Sequence, residues 1–506
     1  MNKKLRIVIL ILFIVNLVFS SLSVFHGEIN QHTDIARDYL LLNEMQHKIF
    51  VLIGPRASTE GLFHGPLWNY VNLIPYTLSN GDPVIIGWWW IVLIILFLIS
   101  SFFIVKKLFG EEVAYLYLLL MSTRTVIMAN SLFNPSGALF MMPFFFYSII
   151  RYMQTKMAKY LLIHLFITGL IVQFQMAVGL PLLILSVLYI GHSIIRGKKY
   201  KHIYSFLILL LPISTYILFD IRHNFSQFSA IVNSLTGKTE IARLDYFTMI
   251  VQRIDIMTRS GMEIFKAPYD IFNILLGYLL VTLLVKQIHS GSINNRAIYF
   301  SGLYYYVGFF IVSLMHNGYL LHHFWLPLTA LTFMIFVSCF KLMNKKYFTL
   351  IFLCVYLLNF YQASSEVLRW DKNSRGKNEN SWSFQKNISS TIFKDADQDF
   401  GIYIYSPDTF AYQIKAGVLY GIKNNPQKKV SINQKKRLTY IIVAPVPKLR
   451  PDLEPPWWIA NRVKISALPV KTFEFQEGYK VLKYELNSDQ QKIPSDSILD
   501  DWITMR

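Results

Sequence analysis

Apolar runs long enough to cross the hydrocarbon core of a bilayer recur through the first 363 residues of this sequence, and no other feature constrains its fold as much. A spanning helix needs about 17–25 mostly apolar residues. Such runs lie at roughly 6–24, 84–105, 112–131, 135–150, 160–175, 177–195, 202–219, 270–285, 297–315, 320–340 and 347–363, which makes about eleven spans. Inside a bilayer a helix satisfies its backbone polar groups within its own segment, so the expected fold class is a polytopic α-helical membrane protein. Of the 506 residues, 54% are hydrophobic and 16% charged, a balance foreign to soluble domains.

An odd number of spans sends the two ends of the chain to opposite sides. Lys and Arg gather in 1–6, at Lys106 and Lys107, in 151–159 and 196–201, at Lys286 and Arg296, and at Lys341, Lys345 and Lys346. Under this count all of these fall on one side, which the positive-inside rule makes the cytoplasm. The first run starts like a signal peptide but is longer than a signal peptide's apolar core, so it is read as a retained helix. The net charge of +19 then reflects anchoring to anionic headgroups of membrane lipids; no basic groove or module speaks for nucleic acid. Cys339 and Cys354 sit within expected spans and form no disulfide framework.

Three segments are expected outside the cell membrane: 23–83, 220–269 and everything after about Tyr361. In the last, residues 364–390 read as a charged linker ahead of a soluble extracytoplasmic domain reaching 506. There "FGIYIYSPD" and "LTYIIVAPV" have the pattern of buried strands, "TFAYQIKAGVLYGI" of a helix, and "KTFEFQEGYKVLKYEL" of two strands around a Glu-Gly turn. A small α/β domain is the expected outcome.

The unusual polar chemistry lies on the outer face. In "FHGEINQHTDIARDYLLLNEM", apolar Ile35, Tyr39, Leu42 and Met45 alternate with Asp34, Arg37 and Asp38, as in a short amphipathic helix lying at the interface. On it Asp34 is a neighbour of Arg37 (i, i+3) and of Asp38 (i, i+4); a solvated charged face fits the spacing equally well. "GPRASTEGLFHGPLWNY" carries two Gly-Pro turns, His64 and an aromatic anchor at Trp68 and Tyr70, and is expected to fold back onto the bilayer. "SLFNPSGALF" and "QFQMAVGLP" read as tight helix connections. "YILFDIRHNF" clusters Asp220, Arg222 and His223 at an outer helix end, where cations offset exposed carbonyls or hold an anion such as phosphate. "MHNGYLLHHFWLPL" places His316, His322 and His323 around another outer connection, without a recognisable metal-ligand spacing.

An acidic first outer loop, a "GPL" turn, many spans, outer cations and a C-terminal exported domain together resemble the GT-C glycosyltransferases of the protein O-mannosyltransferase and lipid A aminoarabinose transferase type, glycosyltransferase family 39-like. Members carry an acid in the first outer loop, often Asp-Glu followed by an Arg, and then a Lys-Pro-Pro-like turn. Here "TDIARDYLL" and "FHGPLWNY" stand at those places, with Ile35 instead of the second acid and His64-Gly65-Pro66 at the turn. The resemblance implies that residues 1–363 form the catalytic membrane domain and that the donor is a polyprenyl-phosphate-linked sugar. The acceptor would be a glycan, lipid or protein. It puts Asp34 in the position of the catalytic carboxylate, with Asp38 the fallback. Arg37, His64, Arg222, His223 and His323 become candidate substrate contacts. No cofactor is required by these residues, and a divalent metal stays open.

Two other readings compete. A transporter or lipid-linked sugar flippase places ionisable groups inside its spans and shows matched broken helices; here the spans are almost free of charge apart from Arg124. A scaffold binding cell-wall material through Trp457 and Trp458 competes with ordinary packing of that pair.

Overall fold

The computed structural model describes residues 3–48, 50–57, 59, 61–236, 244–256, 270–316, 318–408, 410–446 and 454–499. It begins with α1 (Lys3–Phe25), α2 (Thr33–Gln46), α3 (Leu67–Leu78), α4 (Pro83–Phe109), α5 (Glu111–Met128), α6 (Asn134–Thr155), α7 (Ala158–Phe174) and α8 (Met176–Arg196). A 3-10 segment, Tyr200–Leu209, then leads into α9 (Leu210–Arg222). After it come α10 (Ser226–Thr236), α11 (Tyr246–Ile256), α12 (Asp270–Ser290), α13 (Ile293–Ser313), α14 (Leu328–Ser338) and α15 (Lys345–Ser374). Each of the apolar runs read from the sequence falls, wholly or in part, on a helix. Six described helices are long and apolar enough to cross a membrane: α1, α4, α8, Tyr200–Arg222, Ile271–His289 within α12, and α15.

Two expectations change. The run at 320–340 is helical only as Leu328–Lys341, about 21 Å at 1.5 Å per residue, because Pro327 and the His322–Phe324 turn interrupt it. The expected linker is also largely helical, since α15 runs on to Ser374 and α16 (Trp382–Asp395) follows, capped by the Ser381 hydroxyl.

The chain divides into two compact units. One comprises Met1–Ser21, Phe50–Val71 and Trp90–Val367, the other Leu22–Ile49, Asn72–Trp89 and Leu368–Arg506. Besides its C-terminal residues, the second unit takes in two pieces of the region before α4 and the start of α4 itself.

In the first unit α6 packs on α7 and α13, α7 on α8 and α9, α12 on α13, and α14 on α5 and α6. Some buried polar groups pair across helices. Asn16 donates to Ser122 Oγ at 2.6 Å, and His164 Nε2 lies 2.9 Å from Ser186 Oγ, itself 3.0 Å from the Tyr305 hydroxyl. Such pairs join helices where lipid gives no hydrophobic drive to associate.

The second unit is built on a five-stranded sheet, β1 (Phe400–Tyr405), β2 (Val430–Ile432), β3 (Leu438–Val443), β4 (Lys471–Glu474) and β5 (Lys480–Glu485), in the order β2-β1-β3-β5-β4. β1 is parallel to β2 and β3, and β5 is antiparallel to β3 and β4. Alternate residues serve two cores. Phe400, Ile402, Tyr440, Ile442 and Val481 pack with α16 and α17 (Tyr412–Asn424). Tyr403, Tyr405, Ile441, Val443 and Tyr484 pack with Ile459, Val463 and Ile465. Cover on both faces explains why β1 and β3 read as continuous apolar runs. The tryptophan pair splits: Trp458 meets the Tyr405 ring edge-on at 5.3 Å, while Trp457 is exposed beneath Arg462.

α16 and α17 approach closely because Gly421 has no side chain: a Cβ there would lie 2.2 Å from Ser389 Oγ and 2.5 Å from the Phe393 ring. Gly421→Val in the full chain is therefore expected to cost about 1–3 kcal/mol by overpacking, read as a lowered melting temperature of the purified protein. An unchanged melting temperature would contradict this packing.

Candidate active site

The residues singled out in the sequence fall in different units. Asp34, Arg37 and Asp38 belong to the second; His64, Arg222, His223 and His323 belong to the first.

α2 is buried on nearly every side. Ile35 through Leu42 and Met45 are all covered, Arg37 and Asp38 included. The expected amphipathic helix on a membrane surface is thus a packed helix. Part of its cover is α17, which lies against it, with Lys423 donating to Gln46 and standing 4.3 Å over the Tyr76 ring. The chain entering α2 pairs with the chain entering α16. Gln31 N–H donates to Asn380 O at 2.6 Å, Trp382 N–H donates to Ile29 O at 3.0 Å, and Asn30 and Ser381 form an antiparallel bridge. Glu28 accepts from the Ser383 amide at 3.2 Å and from its hydroxyl, and burial raises its pKa. His26 Nδ1 and Arg375 Nη2 both meet the Asp371 carboxylate, at 2.8 and 2.5 Å.

On this frame Arg37 joins two carboxylates. Its Nη1 lies 2.9 Å from Asp34 Oδ1, its Nη2 3.2 Å from Asp38 Oδ1 and its Nε 3.4 Å from the same oxygen. The two acids differ in surroundings. The Asp34 side chain is 40% exposed and that of Asp38 only 9%, so Asp38 is the buried member. Its Oδ2 is buried with no hydrogen-bond partner among the described residues. Burial pushes the Asp38 carboxyl up to about 6, with Asp34 adding and Arg37 opposing. Burial lowers His32, at the head of the helix, against the pull of Asp34. With both acids ionised the group carries one net negative charge, half of whose source faces solvent.

The candidates in the first unit have more local employment. Residues 54–55 pair with residue 64: His64 N–H donates to Pro55 O at 2.9 Å, and Gly54 N–H to His64 O at 2.8 Å. A Cβ on Gly54 would sit 2.4 Å from Gly65 O, and one on Gly65 would collide with Gln173. The His64 ring is buried, and its Nδ1 accepts from the Met176 amide at 3.4 Å, a donor the first turn of α8 leaves open. Gln173 and Asn134, from the two tight connections, lock neighbouring helix ends, Gln173 to Pro212 O and Thr215, and Asn134 to Phe174 O and Gln175. Asp220 caps α10 by accepting from the Gln227 and Phe228 amides. His223 stacks on Phe219 at 4.0 Å and bonds its carbonyl at 2.8 Å, while Arg222 is exposed and makes no side-chain ion pair among the described residues. His323 is half-buried against the Phe133 and Phe324 rings.

Arg253 was missed from sequence. It is fully buried on α11 and donates to the carbonyls of Ser313, His316 and Gly318, fixing the loop after α13; its only signal was a lone Arg in an otherwise mixed helix. An apolar groove of about 330 Å³ opens between helices of the same unit, lined by side chains such as Leu280, Leu284, Leu303, Val307, Phe310 and Ile335. Among the described residues no group of three or more His, Cys, Asp or Glu is placed to hold a metal. Between Asp34 and Asp38 the positive charge is supplied by Arg37.

Two solved structures of ArnT from Cupriavidus metallidurans share this architecture. The one bound to undecaprenyl phosphate matches with a TM-score of 0.58 at 11% identity, over 95% of this chain and 98% of that one. The apo state matches with a TM-score of 0.59 at 11% identity, over 94% and 97%. No family model and no curated protein matches the sequence. At such identity the likeness is one of fold. The expected fold, a polytopic helical membrane protein with a small C-terminal α/β domain, is met there.

The raised pKa of Asp38 carries a sign. Ionising it opposes folding, so the stability it contributes is full below the unfolded value near 4 and is lost as pH rises toward about 6. Over that window the change is about 3 kcal/mol. The melting-temperature difference between Asp38→Asn and the parent should therefore move in the variant's favour from pH 4 to pH 6 and level off above pH 7. A difference constant across this range would mean that Asp38 is not desolvated as described.

Proposed function

We propose that the protein is an inverting glycosyltransferase that moves a sugar from a polyprenyl-phosphate donor to an acceptor hydroxyl at the outer face of the cytoplasmic membrane. In the same reading the N-terminus is cytoplasmic and the C-terminal domain extracytoplasmic. The observation that carries the reading is the Asp34–Arg37–Asp38 group: one solvent-reaching carboxylate, oriented by a buried guanidinium that a second, buried carboxylate holds from behind. The fold supports it, since ArnT shares that fold and has been crystallised with undecaprenyl phosphate.

The chemistry needs little more. The acceptor oxygen attacks the anomeric carbon as its proton passes to Asp34. The bond from that carbon to the phosphate oxygen breaks, and polyprenyl phosphate leaves with the electron pair. One displacement inverts the anomeric centre. Because a phosphate is already a good leaving group, the acid partner of a glycosidase carboxylate pair is dispensable. Arg37 keeps Asp34 aimed. Asp38 is a positioning residue: it neutralises the buried guanidinium, whose charge would otherwise be costly to desolvate. In the first unit Arg222, with His223 beside it, is a candidate anion contact in its own right, on the exposure and planar donor fork of the guanidinium. The apolar groove beside α12 and α13 is the proposed bed of the lipid tail.

General-base catalysis contributes about 10²–10⁴ in rate. Asp34→Asn should lower sugar transfer from a polyprenyl-phosphate donor by that factor while leaving the amount of folded protein unchanged. Asp38→Asn should retain more activity than Asp34→Asn. A dead Asp38→Asn with a fully active Asp34→Asn would move the base one turn along the helix, and full activity in both would refute the mechanism.

A further inference from the structure

In the first unit a cavity of about 640 Å³ opens beside the C-terminal end of α8, flanked by the end of α6 and by Phe300 and Tyr304 of α13. Its lining is divided. Lys156, His192 and Arg196 supply cationic or protonatable groups; Tyr189, Phe300 and Tyr304 supply an aromatic wall. Among the described residues no Asp or Glu lines it.

Local structure sets this up. Lys156 ends α6 in a left-handed conformation, φ +52°, where its N–H bonds Tyr152 O, and its ammonium is held by Ser193 Oγ at 2.5 Å. His192 and Arg196 are four residues apart on α8 and so share a face; both are exposed. The tyrosine hydroxyls are already employed, Tyr189 with Ser301 Oγ at 3.1 Å and Tyr304 donating to Leu185 O at 2.9 Å. The rings therefore offer apolar surface rather than donors. Tyr189 and Tyr304 lie 4.8 Å apart, with Phe300 beside both.

Cations at the ends of α6 and α8 offset the helix dipoles, which accounts for Lys156 and Arg196 standing there. It does not account for an aromatic-walled space where, among the described residues, no carboxylate lines the cavity to neutralise them. Partial burial and the nearby Lys199 hold Lys156 below the ordinary lysine pKa, a strain that an anion in the cavity would relieve. A free hydrophilic anion would use the rim and waste the wall. A ligand with a phosphate at one end and an apolar body at the other uses both.

We infer that this cavity binds the headgroup of an anionic phospholipid, its phosphate on Lys156 and Arg196 and its glycerol and first acyl carbons against Tyr189, Phe300 and Tyr304. Basic pockets between membrane helices are suited to such headgroups. The site is independent of the proposed transfer chemistry.

The test is native mass spectrometry of the full chain in neutral detergent, titrated with dioleoyl phosphatidylglycerol or dioleoyl phosphatidylcholine. Saturable binding of phosphatidylglycerol, in preference to phosphatidylcholine, is expected. It should weaken about tenfold or more when both Lys156→Gln and Arg196→Gln are present, and survive in Lys156→Arg. Melting temperatures report whether each variant is folded; should the double variant not fold, Phe300→Ala replaces it, with weaker lipid binding expected. Undiminished phosphatidylglycerol binding in the folded variant would overturn the inference. So would displacement of the lipid by millimolar inorganic phosphate, which would make the cavity a free-phosphate site.

Discussion

A guanidinium buried between two carboxylates decides most of what surrounds it. Arg37 is only 7% exposed, and taking its charge out of water is costly unless opposite charges accompany it. Asp34 supplies one from a turn earlier on the same helix, and Asp38 the other from the next position in the chain. The geometry also separates the two acids, leaving Asp34 within reach of solvent and Asp38 behind the guanidinium.

Burying that group requires cover on most faces of α2, and chain more than 300 residues away supplies part of it. α17 lies along the helix, and residues 28–31 pair with 380–383 as though extending a sheet by one rung. Glu28 on Ser383 and the His26–Asp371–Arg375 cluster fasten the same seam. The C-terminal α/β fold thereby holds the start of α2, and with it the direction of Asp34. A domain that carries no recognisable motif of its own becomes part of the frame of the proposed site.

Much of this was legible in the chain. Apolar runs announce helices because the bilayer forbids other solutions, and every run drawn meets a helix, even where Pro327 shortens one. The strands at 400–405 and 438–443 announced themselves as unbroken β-branched and aromatic stretches, the signature of a sheet covered on both faces. The i, i+3 and i, i+4 spacing placed Asp34, Arg37 and Asp38 together. Spacing alone could not say which acid is buried, because burial depends on packing around α2 that no i, i+4 pattern records. Nor could it show that His64 would serve the first turn of α8, that Trp457 and Trp458 would part company, or that Arg253 would be consumed by three carbonyls. Each of those outcomes depends on a contact made across a long sequence separation, which no local pattern records.

The direct measurement is the fate of a polyprenyl-phosphate sugar given to the purified full chain together with an extract of acceptors from its own envelope. If Asp34 and its companions promote displacement at the anomeric carbon, polyprenyl monophosphate is released in step with sugar gained by the acceptor, and the new linkage has the opposite anomeric configuration. A donor that is bound or carried across the bilayer intact, with no polyprenyl monophosphate formed, would contradict glycosyl transfer and favour a carrier of lipid-linked sugar.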